Sequence, residues 1–265
     1  MEERVFVVSF AYNGQAYCGY AKQNHSPSIQ EDLERALSIY FRRPIETTCA
    51  GRTDTGVHAF AQHASFALMD SDQMDTREPY KIKRALDALL PDDIQIRQLY
   101  IAPSDFSARF SACKRVYVYR ISCTQNHPLF TADYVWDLAK PLNVHAMQEA
   151  SAYLIGEHDF KSFCKAVSAK DKPTSRYIES IDIYKAEEFS EPHLAIKVVG
   201  NAFLHSMVRT IVGTLVEVGL ERKNPEWVHE VLLAKDRKAA GQNAPAQGLT
   251  LQNVVYPKSL LTALL

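Results

Sequence analysis

The sequence predicts an α+β fold of two halves, each in a βαββαβ-like order. Three observations carry this reading. Short runs rich in β-branched and aromatic residues alternate apolar with polar positions, longer runs between them repeat at the helical period, and the same order of elements starts again after residue 105. The halves are therefore expected at 1–105 and 106–265, a repeat of architecture without residue identity between the two.

In chain order, "RVFVVSFAY" alternates and reads as a strand. "SIQEDLERALSIY" follows as a helix, with Ser28 and Glu31 as a capping box and Ile29, Leu33, Ala36, Leu37 and Tyr40 on one face. "IETTCA" and "HAFAQHASFAL" are strands on either side of a turn, "PYKIKRALDALL" is a helix ended by Pro91, and "IQIRQLYIA" is a strand. The second half supplies strand "RVYVYRISC", helix "NVHAMQEASAYLI", strands "YIESIDIYKA" and "HLAIKVVG", and helix "FLHSMVRTIVGTLVEV". A further helix near "PEWVHEVLLA" and strand "LTLQNVVY" complete it. Irregular segments are expected at 13–27, 68–78, 156–175 and 237–248, and these are candidate substrate loops.

The chain has 265 residues and is 46% hydrophobic, enough for one large domain or two small ones. Lys plus Arg number 30 against 31 Asp plus Glu, so net charge provides no global pull toward nucleic acid or anionic membranes. Local distribution differs. Residues 106–132 hold Arg109, Lys114, Arg115 and Arg120 with no acid, and residues 192–216 hold Lys197 and Arg209 with none. These are either basic surfaces or acid-poor strands with solvated charges. "SAKDKPTSR", which includes Lys172, suits phosphate contact and equally suits an ordinary exposed loop.

Five cysteines, odd in number and without a CxxC pair, argue against a disulfide framework or zinc site and for free thiols in a reducing cytoplasm. "MEERVFVVSF" lacks the regions of a signal peptide, and Val198–Val216 is interrupted by Asn201, His205, Ser206 and Arg209, too polar for a membrane span. No HExxH, G-x-S-x-G, phosphate-loop or dinucleotide fingerprint is present. His58 and His63 have an odd spacing on one strand and so read as packing or hydrogen-bonding residues, and no metal ligand set is expected.

One carboxylate stands out. "AGRTDTGVHAF" brackets Asp54 between Gly51 and Gly56, whose freedom of backbone angle suits a shaped turn displaying Arg52 and Asp54. An aspartate there can also simply cap the turn. Arg209 is the lone charged residue from Val198 to Val216 and is expected to point inward. Asp54 is one candidate partner for it, with Glu217 or a snorkelling path to solvent as alternatives. On "KRVYVYR", alternation places Arg115, Tyr117 and Tyr119 on one face, an arrangement suited to stacking on bases or to an ordinary core.

The Asp54 turn, "FSARFSACKRVYVYR", "HDFKSFC" and "GNAFLHSMVRTIVGTLVEVG" together closely resemble the tRNA pseudouridine synthase A (TruA) family. With "SIQEDLERAL", "ALLPDDIQI" and "APAQGLTLQNVVYP" the resemblance runs over essentially the whole chain. It implies the pseudouridine synthase fold, the two halves forming a mixed, mainly antiparallel central sheet with flanking helices, and isomerisation of uridine to pseudouridine at positions 38 to 40 of the tRNA anticodon stem-loop, by a homodimer without a cofactor. It also implies that Asp54 is the catalytic nucleophile, that Arg52 and Arg209 favour its charged form, and that Tyr117 stacks on the flipped uracil. Arg109, Arg115 and Lys172 are the expected contacts to RNA, beside Tyr117.

The chain departs from the family pattern where "YNG" and "GYAKQ" stand for "YDG" and "GWQxQ", placing Asn13, Tyr20 and Ala21 where an acid, a tryptophan and a glutamine are usual. Lying away from the motif that carries Asp54, these changes are expected to bear on target choice more than on chemistry. Rival readings are a paralogue acting on another RNA site, an RNA-binding module without catalysis, and an aspartate-dependent glycosidic hydrolase, for which no second carboxylate lies near Asp54 in sequence.

Overall fold

The computed structural model describes residues 4–69, 72, 76–165 and 172–265. Among them lie five α-helices and eleven strands, mixed but mostly antiparallel, as the resemblance implies. Contacts divide the chain into Met1–Cys113 with Leu251–Leu265, and Lys114–Thr250. The sequence reading places the division at residue 105 and keeps the C-terminal residues in the second half.

In the first unit β1 (Arg4–Tyr12) lies between β3 (His58–Ala67) and β4 (Ile94–Pro103), antiparallel to both, with Phe6 opposite Phe66 and Val7 opposite Tyr100. Short strands extend this arrangement, β2 (Thr48–Cys49) on β3 and β11 (Thr262–Ala263) on β4. β1 is buried from Val5 through Phe10 rather than on alternate residues, because both faces are covered. On one face Phe6, Phe66 and Phe41 of α1 (Ile29–Phe41) pack edge to face or tilted, with ring centroids 5.2–5.8 Å apart. Over the other face, the Ala108 amide donates to Ser65 Oγ and the Tyr256 hydroxyl donates to the Ala108 carbonyl.

The expected capping box on α1 does not form. Ser28 Oγ is buried and makes no cap bond. Carbonyls of the preceding loop do the work instead, Gly19 accepting from the Ile29 amide at 3.4 Å and Tyr20 from the Gln30 amide at 2.9 Å. Tyr40 is only half-buried, and Phe41 takes the inward place. The helix α2 (Pro79–Leu89) begins with proline at its first turn, and Leu90 is extended as a residue before proline must be.

His63 on β3 is 5% exposed, stacked on Tyr100, and burial pushes its imidazole down to about 4. A histidine held neutral in the fold but able to charge when unfolded weakens the protein as pH falls from about 6.5 toward 4, and has no effect above that window. At roughly 1.4 kcal/mol per pH unit, the penalty reaches about 3 kcal/mol near pH 4. We expect chemical denaturation between pH 7 and 4 to show this loss, and His63→Gln to flatten it.

In the second unit β5 (Lys114–Ser122) pairs with β9 (Glu191–Gly200), β9 with β8 (Ser175–Glu188), and β8 with β7 (Gly156–Asp159), all antiparallel. A short strand β6 (Trp136–Asp137) runs parallel to β5. The segment expected to be irregular at 156–175 thus contributes a strand, and its residues 166–171 lie outside the described residues. The helix α3 (Val144–Ala152) opens with Asn143, whose side chain accepts from the Ala146 amide. β10 (Leu249–Val255) follows α5 (Trp227–Ala234) through short 3-10 turns.

The helix α4 (Met207–Gly219) starts later than its apolar run suggests, after Ser206 in a left-handed conformation. Its circumference is almost wholly buried, and at Gly213 the chain passes so close that a Cβ would lie 1.8 Å from the Gln242 carbonyl oxygen. At the tip of the β8–β9 hairpin the Glu191 carboxylate accepts from the Thr131 hydroxyl and from the amides of Leu129, Phe130 and Thr131, which hold it down to about 2.

Candidate active site

Asp54 lies half-buried on the turn between β2 and β3, closed by the Val57 amide donating to the Asp54 carbonyl at 3.1 Å. Gly56 carries the left-handed angle this turn needs, φ 77°. On its outer side Arg52 and Thr55 are exposed. On its inner side Thr53 is buried, its hydroxyl 2.7 Å from that of Tyr12 and its carbonyl accepting from the Tyr20 amide at 3.1 Å. Just before the turn, the Gly51 carbonyl accepts from Gln62 Nε2, and Ala50 pairs with His63.

Two glycines outside the motif shape its bed. A Cβ on Gly14 would fall 2.1 Å from the Val57 carbonyl oxygen, and the Gly14 amide donates to His58 Nδ1 at 3.1 Å. Gly19, at φ 104°, would place a Cβ 3.0 Å from the Thr53 carbonyl oxygen. Only a residue without a side chain lets this loop lie on the turn. The sequence reading missed both, and their signal was present, since isolated glycines in a loop mark close backbone approach.

This packing corrects the expectation about the departures. Residues 12–20 lie directly against the Asp54 turn, so the substitutions at 13 and 20 bear on the site's geometry. Asn13 accepts from the Gln15 amide through Oδ1, a bond an aspartate would make equally well. Tyr20 is 1% exposed, and its hydroxyl is buried without a hydrogen-bond partner among the described residues. An unsatisfied buried hydroxyl costs about 1–3 kcal/mol. Tyr20→Phe should therefore leave stability unchanged or raise it by about 1 kcal/mol in denaturant titration, and a loss larger than that would show the hydroxyl to be paired.

The thiol of Cys49, beside this turn, is pushed up to about 11 by burial, with the Arg52 guanidinium pulling it the other way. Arg109, on the segment after β4, is exposed, with its guanidinium 5.2 Å from the centroid of the exposed Phe110 ring. Arg52, Asp54 and Arg109 all belong to the first unit.

The second unit holds the remaining candidates. Tyr117 is buried on β5 opposite Val198, its ring edge-on to Phe203 at 5.1 Å. Tyr119, on the same face, is a core residue whose hydroxyl donates to the Pro245 carbonyl, and a Cβ on Gly248 would collide with its ring. Arg115 is buried and donates from Nη1 to the Asn201 carbonyl at 2.6 Å. Arg209 is half-buried in the first turn of α4 and tied to the strap at 244 twice, through Nε to the Ala244 carbonyl and through its own carbonyl to the Ala244 amide. Glu217, the alternative partner weighed for it, pairs with Arg222 at 3.1 Å. Lys172 is exposed at the start of the stretch leading into β8.

Among the described residues no group of His, Cys, Asp and Glu could hold a metal ion, and no helix is long and apolar enough to cross a membrane. All five cysteines are free thiols.

The mostly antiparallel mixed sheet with helices is consistent with the pseudouridine synthase fold, and the family match makes the chain an isomerase of that class. The chain belongs to the tRNA pseudouridine synthase family, whose model matches residues 8–111 and 150–257. It is similar to proteins named tRNA pseudouridine synthase A. That of Francisella tularensis subsp. novicida is 40% identical over 255 residues, covering 96% of this chain and 94% of the relative. Those of F. tularensis subsp. tularensis and F. philomiragia are each 41% identical over 254 residues, with the same coverage.

Proposed function

We propose that the protein converts uridine to pseudouridine in the anticodon stem-loop of tRNA, with Asp54 as nucleophile, as a cytoplasmic homodimer that needs no cofactor. The observation that carries this reading is the Asp54 turn itself, held in place by Tyr12, Gly14, Gly19 and Tyr20 so that the carboxylate is displayed from a fixed backbone. In the isomerisation the bond from C1' of the ribose to N1 of uracil breaks and a bond from C1' to C5 forms. The C5 proton leaves, and N1, released from the sugar, takes up a proton. A carboxylate suits this because it adds to an electrophilic carbon, C6 of the base or C1' of the sugar, and departs again as a stable anion.

Each remaining group has a part consistent with its surroundings. Arg52, displayed on the same turn as Asp54, brings positive charge to that turn. Tyr117, rigid on β5 against Phe203, offers a ring on which uracil can stack and a hydroxyl for removal of the C5 proton. Extracting the base from its stack costs a few kcal/mol, which contacts to phosphate offset. Exposed Arg109 and Lys172 suit such contacts. Buried Arg115 contributes through the register of β5 against β9 near Asn201.

Mapping pseudouridine in total tRNA from cells lacking the protein tests the reading. Loss of pseudouridine confined to the anticodon stem-loop, restored by the wild-type gene, is the expected result. An unchanged stem-loop with loss at another RNA position would overturn the target assignment.

A further inference from the structure

Among the described residues, two arginines in the second unit carry charge that no acid balances. Arg176, near the start of β8 and opposite His158 of β7, donates from Nη1 to the carbonyls of Pro173 and Ser175, while its Nε is buried with no partner. Arg237 opens the 3-10 turn Arg237–Ala239 and donates to the Gly241 carbonyl and to Asn243 Oδ1. Neither forms an ion pair among the described residues.

The nearby carboxylate, Asp159, is taken by Thr174 Oγ1 at 2.5 Å, the Lys161 amide and Lys235 Nζ at 3.3 Å. Asp236 is used in capping the Lys238 amide. The turn Lys161–Phe163 packs against Arg237–Ala239, and within it Ser162 Oγ is fully buried without a partner. Cys164, next along, feels both guanidinium groups, but burial raises its thiol and keeps it neutral, so it offers no counter-charge.

Burial also disfavours the charge on both arginines, the cost that a bound anion would remove. Guanidinium groups held by carbonyls on one edge keep N–H groups on the other, in the planar fork that matches a phosphate. Lys161 and Lys238, on the two packed turns, and Lys165 are exposed.

We propose that Arg176 and Arg237 form a seat for a backbone phosphate of the RNA substrate, a contact that positions the RNA and takes no part in bond making. This rests on the RNA-modifying reading above, and its test is chosen so that the two can fail separately. Affinity for unmodified tRNA is measured against salt concentration for the parent, Arg176→Gln, Arg237→Gln and the charge-keeping Arg176→Lys and Arg237→Lys. Each glutamine variant should lower the slope of log affinity on log salt by about 1, and each lysine variant should retain the slope with weaker binding.

On the parent protein, bound tRNA should protect Arg176 and Arg237 from phenylglyoxal, read by peptide mass, which keeps the test decisive should a variant fail to fold. Unchanged slopes with lowered melting temperatures, or equal modification with and without tRNA, would make these arginines structural and overturn the proposal. Stabilisation by inorganic phosphate without any change in tRNA slope would mark a free-anion site and overturn it too. A lowered slope in a protein that forms no pseudouridine would sustain the seat while refuting the isomerase reading.

Discussion

Asp54→Asn should fold, bind tRNA about as tightly as the parent and form no pseudouridine, even in single-turnover reactions with enzyme in excess. Asparagine keeps the size of the side chain and an oxygen for hydrogen bonding but removes the anionic nucleophile. If Asp54 served only to shape its turn, asparagine would replace it almost without effect, because both residues close turns through a side-chain oxygen. The backbone closure from Val57 to the Asp54 carbonyl does not depend on the side chain at all. Product formed at near-parental rate by the folded variant would return Asp54 to a structural part and overturn its assignment as nucleophile.

The second large effect is expected away from the motif. In Gly14→Ala the added methyl group would meet the Val57 carbonyl oxygen at 2.1 Å, a backbone atom that cannot swing aside. Either residues 12–20 lift off the turn or the turn itself moves. Overpacking of this sort costs about 1–3 kcal/mol of stability. Activity should suffer more, because displacing a catalytic group by roughly 1 Å costs on the order of 100-fold in rate. Comparing melting temperature with the single-turnover rate at a temperature where the variant is fully folded separates the two losses. A fully folded variant with an undiminished rate would show that residues 12–20 do not set the position of Asp54.

Much of the frame was legible in sequence because its signals are local. The strand β1, helix α2 ending before Pro91, and strand β4 follow from period and from proline chemistry, and no distant residue has to be known to read them. What escaped were elements with no local signal. The strands β6 and β11 are two residues long and exist only through their pairing with the end of β5 and with β4. Residues 203–206 continue the apolar run of α4 yet are not helical, and the run gives no hint that Ser206 takes a left-handed angle. The capping box on α1 is a sound local rule overruled by distant carbonyls, since Gly19 and Tyr20 reach the amides first.

The sequence by itself determined the nature of the site. The types and spacing of residues around Asp54 mark a carboxylate on a shaped turn, and that chemistry resides in the residues regardless of what surrounds them. Tertiary structure alone decided what holds the turn and which charges face solvent. Gly14 and Gly19 become part of the site through close backbone approach, a relation between segments some forty residues apart that no periodicity encodes. Arg115 and Arg109 look alike in an acid-free stretch, yet one is buried on a carbonyl and the other stands exposed. Side-chain chemistry belongs to each residue, whereas burial and close approach belong to pairs of segments and are settled only when the chain packs.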